Sequence, residues 1–201
     1  MKRVILLLTV LSIAAPLTTG VCAPKPAKKT NEANELARKG TEAARNRQWD
    51  EAIDDLRKAT EMEKKYAPSL VAALLGRAAT YASQQQFQQA ATDYDEVLKL
   101  DHKNVTALEG RASMAMKMND MDKAIAMYSE ANKVDPKEIR YLQYRAYIYE
   151  LKGDLKKSMA DNDQVLKLQK DNADALARKQ RLETRMAQEA ANGPMPQASP
   201  Q

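Results

Sequence analysis

A register of 34 residues recurs four times along this chain, and no other feature of the sequence restricts its fold as tightly. The units span Ala33–Tyr66, Val71–Asn104, Val105–Glu138 and Ile139–Asn172. The last three abut, and Ala67 to Leu70, with Pro68 among them, stand between the first and the second. Unit position 4 is always leucine: Leu36, Leu74, Leu108, Leu142. Position 8 is small (Gly40, Ala78, Ala112, Ala146), and so is position 20 (Ala52, Ala90, Ala124, Ser158). Position 17 is large and apolar: Trp49, Phe87, Met121, Leu155. Positions 27 (Ala59, Val97, Ala131, Val165) and 30 (Met62, Leu100, Val134, Leu168) are apolar throughout.

Helix geometry explains these columns. Positions 4, 8 and 11 fall on one face of a first helix, and 17, 20, 24 and 27 on one face of a second. Small residues at 8 and 20 let two backbones approach, and the large residues around them fill the gaps. The turn near position 15 holds Asn119 and Gly153, which accept positive φ at low cost; Arg47 and Gln85 give no such signal in the first two units. One column departs from the apolar rule, in two units. Asn162 stands where a bulky apolar residue is expected, and in the second unit Asp93 and Tyr94 bracket that place, so the fourth unit's second helix is expected to pack more loosely or to turn Asn162 to an edge.

Composition agrees with close helix packing. The chain has 33 alanines against one phenylalanine and one tryptophan, and its six glycines are too few for a turn-rich β-sandwich. One cysteine excludes an intrachain disulfide framework and any multi-cysteine zinc site, and one histidine leaves no histidine-built metal centre. Carboxylates are plentiful but sit at solvent-facing spacings, and no glycine-rich phosphate loop follows a strand. His102 reads as a junction residue with no catalytic companion. Met114, Met116 and Met118 diverge by about 200° from one to the next on a helix, so they do not converge on a metal. No catalytic, cofactor-binding or metal-binding residue is expected. The net charge of +5 is spread along the chain, which does not indicate nucleic-acid binding.

The motifs Leu142-x3-Ala146-x2-Tyr149-x3-Gly153 and Ala124-x3-Tyr128-x2-Ala131-x4-Pro136 resemble the tetratricopeptide repeat, a 34-residue helix–turn–helix unit. The likeness runs over residues 33–172. Only Pro136 occupies the family's proline position; Lys64, His102 and Lys170 stand at the others. The resemblance implies an all-α, right-handed superhelix of about eight repeat helices. Residues 173–191, with Leu176, Leu182 and Met186 as an apolar stripe, read as a ninth helix that caps the otherwise wet end of the stack.

In that family the first helix of each unit lines a concave groove. Carried across by position, the wall includes Leu75 and Ala79 in unit two, Glu109, Met116 and Lys117 in unit three, and Arg140, Gln143, Tyr147 and Glu150 in unit four. Asp174, Ala177 and Arg181 extend it. The first half is small and bland, and the second concentrates the arginine and aromatic types that anchor interfaces. Chaperone-binding members of the family place asparagine at position 9, where this chain has Thr41, Ala79, Ser113 and Tyr147, so that carboxylate clamp is absent. Position 7 is basic in every unit (Lys39, Arg77, Arg111, Arg145) and position 23 acidic in three (Asp55, Asp93, Asp161), which reads as inter-helix ion pairing, within a unit or across to the next.

The N-terminus reads as a signal peptide over 1–22: Lys2 and Arg3 precede an apolar run from Val4 to Ala15 that is shorter than the roughly 20 residues of a membrane span. Cleavage after Gly20, Cys22 or Ala23 is compatible with the small residues there; a lipoprotein at Cys22 or an uncleaved anchor fits less well. Without Lys2 and Arg3 the charge falls to +3. Residues 23–32 read as a flexible basic leader and 192–201 as a disordered tail. The expected protein is an exported scaffold, periplasmic or secreted, monomeric or weakly oligomeric. Its expected partner is a protein or peptide held in the groove; a structural subunit of an envelope assembly is the alternative and an enzyme the third choice.

Overall fold

The computed structural model describes residues 26–193. The expected signal segment, and the tail from 194 onward, lie outside the described residues. Among those described there are nine α-helices and no strand: α1 (Pro26–Arg45), α2 (Trp49–Met62), α3 (Ala67–Ser83), α4 (Phe87–Leu100), α5 (Val105–Lys117), α6 (Met121–Val134), α7 (Ile139–Leu151), α8 (Leu155–Leu168) and α9 (Ala173–Asn192), with a short 3-10 turn at Lys64–Tyr66 between α2 and α3. Each helix packs on the next, and first helices also meet across units, as α1 does with α3. The product is an all-α superhelical stack of four helix pairs closed by a ninth helix. No described helix is long and apolar enough to cross a membrane.

Two expected boundaries move. The leader over 23–32, expected to be flexible, is helical from Pro26, where α1 starts on a residue suited to a first helical position that needs no N–H. Likewise α9 runs to Asn192 and stops at Gly193, whose φ of +68° leaves the helix. The four residues between units one and two form no loop; they lengthen α3 to 17 residues against 13 in α5 and α7, with Pro68 in its first turn.

All four turns inside the units use the left-handed conformation at position 15: Arg47, Gln85 and Asn119 have φ of 59°, 61° and 60°, and Gly153 has 76°. The first two units therefore make the same turn without a turn-forming residue, a tertiary requirement overriding local preference. Side-chain caps follow from Asn104, Asp120, Glu138, Asp154 and Asn172, each accepting a backbone N–H of the helix it precedes. Gln48 and Gln86 precede α2 and α4 without a side-chain cap.

The small columns touch as expected. Ala52, Ala78, Ala90, Ala112, Ala124, Ala146 and Ser158 are fully buried, as are Ala59, Val97, Ala131 and Val165 at position 27. Position 30 behaves differently: Met62, Leu100, Val134 and Leu168 stay 36–45% exposed, since they fall near the end of each second helix, past its buried face. Rings from one unit lie over position 6 of the next. The Trp49 ring covers Gly76 and donates its Nε1–H to Thr80 Oγ1 (3.0 Å), and the Tyr94 ring covers Gly110. In the last pair Tyr128 stacks on Tyr144, centroids 5.0 Å apart.

Asn162 neither loosens α8 nor faces an edge. It is fully buried, and its Nδ2 donates to the Ala175 carbonyl of α9 at 2.9 Å, which ties the cap to the last repeat. The buried face of α9 is Ala175 and Leu182, whereas Leu176, expected in the stripe, is 49% exposed. The ion-pair ladder forms in three of the four units, with two kinds of rung. Arg77 binds Asp93 (2.7 and 2.9 Å) and Arg145 binds Asp161 within their own units. Arg111, whose unit has Met127 at position 23, reaches back to Asp95 (2.8 Å) on α4, and Lys39 pairs with Glu35 on its own helix rather than with Asp55. Asp93 is nearly sealed from water, so Arg77 neutralises a charge that would otherwise be costly to bury.

Candidate functional site

First helices of successive units stand side by side, and their exposed faces form a continuous wall with hollows between neighbours. Two adjoin at its C-terminal end. One, about 220 Å³, lies between α5 and α7 and is lined by Ser113, Met116, Lys117, Tyr128, Tyr144, Tyr147 and Ile148. The other, about 370 Å³, lies between α7 and α9, with Gln143, Tyr144 and Tyr147 on one side and Asp174, Ala177, Arg178 and Arg181 on the other. Tyr144 and Tyr147, each 47% exposed, belong to both and form the ridge between them. Tyr144 is held by its stack on Tyr128, whose burial pushes the phenol pKa up to about 12, so that ring stays neutral.

The groove residues expected from the sequence part into three groups. Met116, Lys117, Gln143 and Tyr147 converge on the two hollows. Arg140 and Glu109 lie a turn away and pair with each other at 3.3 Å, with Glu138 also on Arg140 at 3.2 Å. Hydrogen bonding to Arg140 holds the Glu138 carboxyl below its usual range. Leu75 packs partly buried against the core of the first two units and Ala79 is exposed on α3, both away from the hollows.

Glu150 is committed elsewhere. Its side chain is 12% exposed, and Arg181 (3.0 Å), Arg185 (3.6 Å) and Arg178 (3.7 Å) of α9 surround it. The hydrogen bond from Arg181 holds the Glu150 carboxyl below the usual glutamate range. Arg178 is the unsatisfied member: its Nε and Nη1 are buried without a hydrogen-bond acceptor, and burial pushes its pKa down.

Sequence reasoning missed Tyr144 and Arg178. The signal for Tyr144 was present, since position 6 of a unit faces the ring at position 24 of the unit before: Tyr94 meets Gly110, and Tyr128 meets Tyr144. Arg178 carries no repeat signature, because it depends on how α9 seats.

A larger hollow of about 610 Å³ opens at the other end, beside Asn34, Arg38, Thr41, Tyr66 and Ser69. Several of its polar groups are mutually engaged: Arg38 is held by Glu35 and Glu42, and the Tyr66 hydroxyl bonds the Asn34 side chain. Among the described residues no group of three histidine, cysteine or carboxylate side chains is clustered to hold a metal.

Solved structures with this fold include a tetratricopeptide repeat protein from Parabacteroides merdae, 22% identical with a TM-score of 0.58, over 80% of this chain and 62% of that one. The first tetratricopeptide domain of Spaghetti (RPAP3), solved with an HSP90 peptide, is 18% identical with a TM-score of 0.52, over 58% of this chain and 93% of that one. MamA from Desulfovibrio magneticus is 17% identical with a TM-score of 0.54, over 80% of this chain and 89% of that one. No curated protein matches the chain in sequence. Two family models, both described as tetratricopeptide repeat, match residues 38–105 and 81–146 and together cover more than half of the sequence. With the 34-residue register, the helix pairs and the stacked fold in agreement, the chain belongs to the tetratricopeptide repeat family.

Proposed function

We propose that this protein is a non-catalytic, exported interaction module that seats a segment of another protein along the wall formed by α5, α7 and α9. One observation carries the reading: two adjoining hollows share two half-exposed tyrosines backed by a rigid ring stack. Aromatic side chains lose little conformational freedom on binding and present large contact areas, and such residues dominate interface energetics. The Spaghetti (RPAP3) domain was solved bound to an HSP90 peptide, which supports a peptide segment as the occupant of such a fold. Export rests on the charged and apolar N-terminal segment and on a single cysteine, a composition compatible with an oxidising compartment.

The test is selection of a random twelve-residue peptide display library on the immobilised protein, followed by affinity measurement with the selected peptides. Peptides that bind the parent and lose about tenfold or more with the Tyr144→Ala, Tyr147→Ala double variant, which retains its helicity, support the groove. Failure to select any peptide whose binding depends on the two tyrosines overturns it. Export is tested separately, by the N-terminal sequence and location of the protein in a bacterial host; an intact N-terminus in the cytosol refutes that half.

A further inference from the structure

The end of the wall at α9 is electrostatically incomplete. Glu150 stands among Arg178, Arg181 and Arg185, and both of its oxygens accept from Arg181 (3.0 and 3.3 Å). Arg178 lies 3.7 Å away, beyond hydrogen-bond reach; its side chain is 14% exposed and it lines the α7–α9 hollow. Counting Asp174 at the same hollow, two carboxylates face three guanidinium groups, so one positive charge remains in excess. A carboxylate entering the hollow would offset that excess charge beside Arg178 and the exposed Arg181. Across the tyrosine ridge lies the smaller hollow, floored by Met116 and Ile148, with room for one bulky apolar side chain.

Resting on the groove reading above, we propose that the partner segment carries an aspartate or glutamate within about two residues of a bulky apolar side chain. The apolar group enters the α5–α7 hollow, and the carboxylate accepts hydrogen bonds from Arg178 and Arg181. The segment is read by this pair of neighbouring features, one apolar and one cationic, which set its direction along the wall.

The peptides selected in the display experiment test this directly. The expected result is enrichment of Asp or Glu next to bulky apolar residues relative to the unselected library. A synthetic selected peptide then loses about tenfold in affinity when its acid is changed to the amide, the range for a hydrogen bond to a charged group. Arg178→Met and, separately, Arg181→Gln remove the preference for the acid over the amide while both variants stay helical. Arg181 is 53% exposed, so the Arg181→Gln variant remains folded. Tyrosine-dependent peptides that show no acidic preference overturn the inference and leave the groove reading intact. The absence of any tyrosine-dependent peptide overturns both.

Discussion

Gly110→Ala should lower stability, although a helix-propensity argument gives the opposite sign. Gly110 lies inside α5, where alanine is favoured over glycine by about 1 kcal/mol. A Cβ built there would sit 2.5 and 2.7 Å from Cε1 and Cε2 of Tyr94, with Cζ nearer still. Ordinary contact begins near 3.4 Å, so the ring must retreat by about 0.9 Å at Cε1. Tyr94 is only 9% exposed and packed in the core of units one to three, which leaves a rigid ring little room to move. Overpacking of this kind costs about 1–3 kcal/mol, so the net loss is about 1 kcal/mol and the melting temperature falls by about 2–4 °C. Urea unfolding of the purified protein, followed by circular dichroism, gives the number. The same substitution in a Tyr94→Leu background should be neutral or stabilising, because removing the ring leaves only the propensity gain, up to about 1 kcal/mol. A raised melting temperature in the parent background, or equal shifts in both, would refute the ring-over-glycine account.

Gln85→Gly should raise the urea midpoint: the parent residue holds φ at 61°, a conformation that costs an L-residue about 1–2 kcal/mol, and glycine gives back only about 0.5–1 of it through chain entropy. A lower midpoint would mean the Gln85 side chain contributes more than its turn geometry suggests. Docking of α9 should be acid-sensitive through Glu150. Its folded pKa is depressed by the arginines of α9, so its contribution is complete above the ordinary value of 4.5 and is lost as pH falls from there through the depressed value. Amide hydrogen exchange of α9 should therefore speed up relative to α5 as pH falls through that window, after correction for intrinsic rates, and Glu150→Gln should show fast exchange at neutral pH and no further change. Equal protection of α9 in parent and variant at neutral pH would show that Asn162 and Leu182 hold the cap without the ion cluster.

Much of this architecture was legible because a repeat reports each structural requirement four times. The small residues at positions 8, 20 and 27 recur where two helices touch, and their burial follows from that spacing alone. Position 30 shows where pattern reading stops, since an apolar column can lie beside a core without entering it. The groove was half legible. Met116, Lys117, Gln143 and Tyr147 came from family positions, but position could not tell that Glu150 is taken by α9 or that Arg140 is held by Glu109.

The period and composition of the chain by themselves determined paired helices, their order and their close contacts, because hydrophobic spacing and side-chain size act within one unit. Only the tertiary structure decided which rung of the ladder each basic residue joins, why Arg47 and Gln85 adopt a left-handed turn, and why Asn162 is buried. Those outcomes depend on what the neighbouring unit presents: Asp95 for Arg111, the Ala175 carbonyl for Asn162, the Tyr128 ring for Tyr144. Contacts between units recur at a fixed spacing, as Tyr94 with Gly110 and Tyr128 with Tyr144, but the side chain presented there changes from unit to unit, so which groups are engaged and which are left open to the hollows was decided only by the stack.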